Sequence, residues 1–129
     1  MPRTLDLLKA QLEVIGVSSQ MELLVLSATT QELASGTATV VPVAAGVPRL
    51  LIKSIRVTSN NTTDTFEVEI LTVDPDGRVE YASLPVAGEL YDTVDLPYVC
   101  ATEANNVYLR IKPSAPMSFT IEIRAIRLR

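Results

Sequence analysis

The spacing of apolar residues along this chain changes period near residue 20. Before it, Leu5, Leu8, Leu12 and Ile15 are spaced by three, four and three residues. That spacing sets them on one stripe of a helix and leaves Asp6, Lys9 and Glu13 elsewhere. It predicts a helical segment over residues 4–15. A helix of about a dozen residues is marginal alone in water, so this one has to dock. Two docking places are open: the body of its own chain or a neighbouring subunit.

From Gln20 onward the pattern is that of extended chain. Residues 21–30 carry apolar side chains on both parities, which predicts a strand covered on both faces. Ser35-Gly36 marks a turn, residues 37–43 read as the next strand, and residues 44–48, with Gly46 and Pro48, form a further break. Residues 50–58 alternate, with Leu51, Ile55 and Val57 on one face and Ser54, Arg56 and Thr58 on the other. After the polar run 60–64, Phe66-Glu-Val-Glu-Ile70 alternates again, so these two strands are expected to pair as a hairpin. Asp74-Pro-Asp-Gly77 closes a second turn, since Pro75 presets its dihedral and Gly77 accepts a positive one.

Pro85 and Pro97 cannot donate to a ladder and suit sheet edges or strand ends. Residues 107–112 resume alternation, Pro113 and Pro116 bracket a turn, and residues 118–129 form the last strand. In that strand Phe119, Ile121, Ile123 and Ala125 share one face. The apolar parity then switches to Ile126 and Leu128 and leaves Arg127 and Arg129 in the former core positions. Either a bulge shifts the register, or Ile126 and Leu128 lie on the outer face and pack against another subunit.

Seven or eight short strands separated by turn signals give the expected fold: all-β, a jelly-roll-like β-sandwich with a short N-terminal helical arm. The boundary falls near Ser18-Ser19, giving an arm over residues 1–18 and a β domain over 19–129. A chain of 129 residues suits one domain, which at this size buries roughly two-thirds of its unfolded surface.

Composition narrows the chemistry. Histidine is absent, so the Ser/His/Asp and Cys/His nucleophile arrangements have no base, and the commonest metal ligand is missing. The single cysteine, Cys100, excludes an internal disulfide and a multi-cysteine zinc site; it reads as a small buried hydrophobe in a strand. No phosphate-cradling glycine motif is present, and the acids fall on strand faces or in turns, where a charged face is the simpler reading than a catalytic pair. Asp74-Pro-Asp-Gly77 resembles the start of a calcium loop, but the later ligand spacing fails. Asn61-Thr-Thr63 fits a glycosylation acceptor, for which the plain loop reading is preferred. No catalytic, metal or cofactor-binding residue is therefore assigned, and a non-enzymatic protein without a cofactor is expected.

The net charge is −4, which lacks the basic footprint of a nucleic-acid binder. No apolar run reaches about 18 residues and no secretory leader pattern is visible, so no membrane partner is expected and folding is placed in the cytoplasm. Charge is unevenly spread, with ten acids between Asp64 and Glu103 opposed by Arg78, and Arg110, Lys112, Arg124, Arg127 and Arg129 opposed by Glu122. Such regions could complement each other between identical subunits or meet within one monomer. A sugar-binding sandwich would offer exposed rings. Tryptophan is absent, and Tyr108, on a polar face with Arg110 and Lys112, is the best single candidate for surface recognition beside an ordinary cross-strand packing role.

Leu51-Ile-Lys-Ser-Ile-Arg-Val-Thr-Ser-Asn-Asn-Thr-Thr63, Phe66-Glu-Val-Glu-Ile70, Leu96-Pro-Tyr-Val-Cys100 and Val107-Tyr-Leu-Arg-Ile111 together resemble the small β-sandwich structural proteins of tailed bacteriophages, over residues 37–129. Capsid decoration or cement proteins of this kind are jelly-roll-like, often trimeric, and clamp neighbouring major capsid proteins with arms. The resemblance implies a virion protein assembled in the host cytoplasm, a homo-oligomer, with a trimer favoured, whose partners are the major capsid protein or other virion proteins. A head-tail connector or tail component is the nearest alternative, and a carbohydrate- or receptor-binding module is the rival from another class. The residues expected at the interface are Leu5, Leu8, Leu12, Ile15, Tyr108, Ile126 and Leu128. Deleting residues 1–18 is expected to leave a cooperatively unfolding domain, seen by circular dichroism, that no longer attaches to its particle; unchanged attachment would remove the arm from the mechanism.

Overall fold

A computed structural model describes residues 22–72, 77–100 and 105–128. The described residues form nine strands: β1 (Glu22–Thr29), β2 (Thr39–Ala44), β3 (Arg49–Ser59), β4 (Thr65–Leu71), β5 (Val79–Ala82), β6 (Val86–Ala87), β7 (Glu89–Val99), β8 (Asn106–Pro113) and β9 (Phe119–Arg127). They make two antiparallel sheets. The first has the order β1-β9-β3-β7, and the second β2-β8-β4-β5 with the two-residue β6 also beside β4. The described residues are all-β as the alternation predicts, with β6 a strand too short to carry a periodic signal. The helical arm expected over residues 1–18 lies outside the described residues.

The sheets share one apolar core, built from the inward parity of each strand. β3 sends in Leu50, Ile52, Ile55 and Val57, β9 sends in Phe119, Ile121, Ile123 and Ala125, β4 sends in Phe66, Val68 and Ile70, and β8 sends in Val107, Leu109 and Ile111. Near one end of the sandwich, where β3 ends and β4 begins, the Phe66 and Phe119 rings meet edge to face, 4.9 Å between centroids at 66°. Such pairs add to the burial each ring already brings.

Three expectations change. Residues 50–58 and 66–70 are not a hairpin: β3 pairs with β7 and β9, whereas β4 lies in the other sheet. Residues 60–64 are instead a crossover between sheets. Asn61 Oδ1 accepts the N–H groups of Thr63 and Asp64 at 2.9 and 3.0 Å, and Asn60 Oδ1 accepts that of Ser118 at 2.9 Å. A polar loop between two alternating strands signals a reversal of direction but not the sheet that receives the second strand.

The second change is in β3. A register shift between Ile52 and Ser54 makes Lys53 the extra residue, so Leu51 faces out while Leu50 and Ile52 face in. Strict alternation from Ile55 backward had put Leu51 inside. β9, where the sequence offered a bulge, keeps an unbroken register against β1. The third change is β1, expected to be covered on both faces: it is an edge strand whose inward side holds Leu24, Leu26 and Ala28 and whose Leu23 and Val25 are exposed.

Other punctuation falls where expected. Gly36 and Gly46 take positive φ in the breaks around β2, and Pro97 lies in the edge strand β7. β4 and β5 pair as the second turn requires, while residues 73–76 of that turn lie outside the described residues. Phe66→Ala should remove about 3–5 kcal/mol of unfolding free energy by opening a cavity at the sheet-to-sheet contact. Urea titration followed by circular dichroism would show it as a lowered midpoint, and a loss below about 1 kcal/mol would mean that the ring is not core.

Candidate functional site

The unbroken register of β9 settles the face of Ile126. Its Cα partners are Leu23 on β1 and Leu51 on β3, and Leu51 in turn pairs with Pro97 on β7. Opposed residues in antiparallel strands share a face, so Leu23, Ile126, Leu51 and Pro97 form one apolar row across all four strands of the first sheet, on the side away from the core. Leu23 is 69% exposed and Pro97 is exposed, while Ile126 and Leu51 are half-buried. Val25 (57% exposed) borders the row on one side, and Leu128 and Val99 border it on the other, where the Leu128 N–H donates to the Arg49 carbonyl at 3.0 Å.

The rest of this face is polar. Two rows further along β1, Ser27, Glu122, Arg56 and Tyr91 stand in register, with the Arg56 guanidinium 5.0 Å from the centre of the Tyr91 ring. Between the two zones is a shallow concavity of about 500 Å³ lined by Leu23, Lys53, Tyr91, Val94 and Arg124, among others. Lys53, displaced by its own bulge, pairs there with Asp95. The face therefore has an apolar end and a charged end, the division found between the centre and rim of protein contacts.

The second sheet's outer face is different. Glu69 and Arg110 are in register and paired at 2.6 Å, both side chains about one-third exposed, and Glu67 stands opposite Lys112. Here the acidic middle and the basic end of the sequence meet inside one monomer. Arg127 pairs at 3.3 Å with Glu22, an acid outside that middle region. Tyr108 lies on this face as expected, half-buried, opposite Pro42 of the edge strand β2. Of the expected interface residues, the structure thus brings Ile126 and Leu128 together and puts Tyr108 on the opposite side of the body. Leu5, Leu8, Leu12 and Ile15 lie outside the described residues. Leu23, Leu51 and Val99 went unassigned in the sequence, although an apolar residue on each parity of residues 22–29 was the available sign for Leu23.

The two sheets are also joined by tyrosine hydroxyls. Tyr98, 4% exposed on β7, donates to the Thr72 carbonyl at 3.0 Å and accepts the Tyr108 N–H at 3.2 Å, where β4 and β8 part beyond the Ile70–Leu109 pair. Burial is the main cause that pushes its pKa up to about 12, against a smaller lowering by the Tyr108 N–H. Tyr81 on β5 donates to the Asp92 carboxylate of β7 at 2.8 Å, so it ties the edge strands of the two sheets; burial first, then that carboxylate, holds its ionisation above the usual tyrosine range. Cys100, 2% exposed and just past the end of β7, has its thiol pushed up to about 11 by burial, which keeps it protonated near neutral pH.

These groups set an alkaline limit. An unfolded tyrosine ionises near pH 10.0 and folded Tyr98 near 12, so between those values the unfolded chain binds fewer protons and stability falls as pH rises. The contribution is complete below that window. Tyr98→Phe should flatten the decline and cost about 1–3 kcal/mol at neutral pH, because the Thr72 carbonyl and Tyr108 N–H lose their partner. Denaturant titrations of both proteins at neutral and strongly alkaline pH would measure both effects, and an unchanged slope would remove Tyr98 from the alkaline response.

No protein-family model matches the chain, and no curated protein matches it in sequence. Among solved structures, it is similar to a chain of the Bacillus endospore appendages, described as a novel family of disulfide-linked pili, at 15% identity and a TM-score of 0.49, with 84% of this chain and 88% of that chain covered.

Proposed function

We propose that this protein is a non-enzymatic structural subunit that acts through protein–protein contacts, a jelly-roll-like β-sandwich that joins a larger assembly by the outward face of its first sheet. The observation that carries the reading is the row Leu23–Ile126–Leu51–Pro97, which aligns apolar side chains across four strands where a free sheet face would alternate to polar residues. Burying such a row against a partner removes apolar surface from water. The charged end beside it would fix orientation more than affinity.

The setting we propose is a virion, with the protein as a capsid decoration or cement subunit that stabilises a phage head, as a homo-oligomer and against the major capsid protein. This rests on the resemblance of residues 37–129 to small sandwich proteins of tailed bacteriophages, and a place at the head-tail connector or in the tail fits the same surface. The rival reading, a glycan- or receptor-binding module, has Tyr91 to rest on: the ring is 54% exposed beside a shallow concavity. A glycan array with the full chain separates the two, since selective sugar binding that Tyr91→Ala abolishes would favour the rival.

Replacing the row's centre with charge, Leu51→Glu with Ile126→Glu, should abolish attachment to the native assembly. Electron microscopy of particles decorated with antibody to this chain would measure it. Both residues face away from the core, so the variant should keep its near-ultraviolet circular dichroism. Full attachment by a folded variant would overturn the reading.

A further inference from the structure

Among the described residues, three of the four sheet edges carry features that discourage a further strand, and the fourth does not. β7 holds Pro97 and the acids Glu89, Asp92 and Asp95, and its register against β3 is interrupted at the bulge. β2 holds Pro42, and β5 and β6, which share the remaining edge of the second sheet, are four and two residues long. Proline, charge, irregular register and short length are the usual protections of an edge. β1 has none of them. Over Glu22–Thr29 its register against β9 is unbroken, its one charged residue is its first, and it contains neither proline nor glycine.

The backbone groups of that edge follow from one hydrogen bond. The Thr30 N–H donates to the Phe119 carbonyl at 2.9 Å, one step beyond the Thr29–Thr120 pair. Bonded and non-bonded pairs alternate in an antiparallel ladder. Leu24, Leu26 and Ala28 therefore bond to β9, while Leu23, Val25, Ser27 and Thr29 turn their N–H and C=O groups outward. On that side the described residues supply no strand. The side chains show the same gap: Leu24 and Ala28 pack on the core yet are half-buried, whereas their register partners on β9, Ala125 and Ile121, are fully buried.

We propose that β1 pairs antiparallel with β1 of a second copy of this chain, about a two-fold axis that passes between the two Leu26 residues, and joins their first sheets into one. An axis perpendicular to the sheet keeps core-facing residues beside core-facing residues and closes the contact at two subunits. Leu23 then stands opposite Thr29 of the partner subunit and Val25 opposite Ser27 of the partner subunit. All four outward residues exchange bonds, roughly eight in all; an axis at Val25 would leave Thr29 unmatched within β1. On the core side Leu24 meets Ala28 of the partner subunit, and each covers the other's half-buried flank. The ladder lies in the plane of the sheet and leaves the outer apolar row uncovered, so it stands independently of the reading of that row.

Amide hydrogen exchange of the full chain tests the ladder, read by nuclear magnetic resonance at a concentration where sedimentation velocity finds monomers and at one where it finds dimers. The Leu24, Leu26 and Ala28 amides should be protected in both. Those of Leu23, Val25, Ser27 and Thr29 should exchange at least about tenfold more slowly in the dimer. Fast exchange of these four in the dimer would place the contact elsewhere and overturn the pairing. Protection of the four in the monomer would give the edge to another segment of the same chain and overturn it as well. So would a chain that is still monomeric at roughly 1 mM.

Ser27→Pro supplies a matched variant, because it removes an outward donor and none of the bonds to β9. Protection of Leu24 and Leu26 should persist while the dimer dissociation constant rises at least about tenfold, and Ser27→Ala should dimerise as the unaltered chain does. A Ser27→Pro dimer of unchanged affinity, with the β9 bonds intact, would overturn the inference. Leu51→Glu with Ile126→Glu should still dimerise, which keeps the two readings apart: attachment lost by that dimer bears on the outer face, and loss of the dimer by Ser27→Pro bears on the edge of β1.

Discussion

Everything in this structure depends on two sheets that face each other across one apolar core. Each strand gives alternate side chains to that core, and the Phe66–Phe119 contact joins the two sheets near one end of it. A sheet buries only one parity of its residues, so the same constraint that builds the interior also decides what is left outside. Once Ile121, Ile123 and Ala125 are in, Ile126 has to be out, and it meets Leu23 and Leu51 there because the three are in register.

The bulge at Lys53 shows how a local irregularity distributes function. One extra residue in β3 lets Leu50 and Ile52 stay in the core on one side of the shift and Ile55 and Val57 on the other. It turns Leu51 outward, where it joins the row, and offers Lys53 to Asp95 across a matching irregularity in β7. Without it one half of the strand would present its apolar residues on the wrong face. Along β7, the edge strand of the first sheet, the Tyr98 hydroxyl and the Tyr81–Asp92 pair join it to the second sheet, each through a single hydroxyl.

Much of the fold was legible in the alternation of residues 66–70, 107–112 and 119–125, since period two with β-branched side chains reports a half-buried strand whatever its neighbours. The sheet each strand joins was not legible. The crossover at residues 60–64 has the polar composition of a hairpin loop, and its internal hydrogen bonds would serve either path. The two-faced apolar pattern of β1 was visible, but its meaning depends on position: in a central strand it means double cover, and at an edge it means a surface left for something else. Tyr98 could have been found, because Leu96, Tyr98 and Cys100 share one parity in residues 96–100. Its partners Thr72 and Tyr108 come from distant strands and carry no local sign.

The most direct test of the division between inside and outside is a nuclear Overhauser spectrum of the methyl-labelled full chain. Ile126 should show contacts to both Leu23 and Leu51, and on the other face of the sheet the Leu50 methyls should contact the ring of Tyr98, with which Leu50 is in register, with no cross-peak from the Leu51 or Ile126 methyls to that ring. A cross-peak from Leu51 or Ile126 to the Tyr98 ring would put the row inside the core and contradict the account.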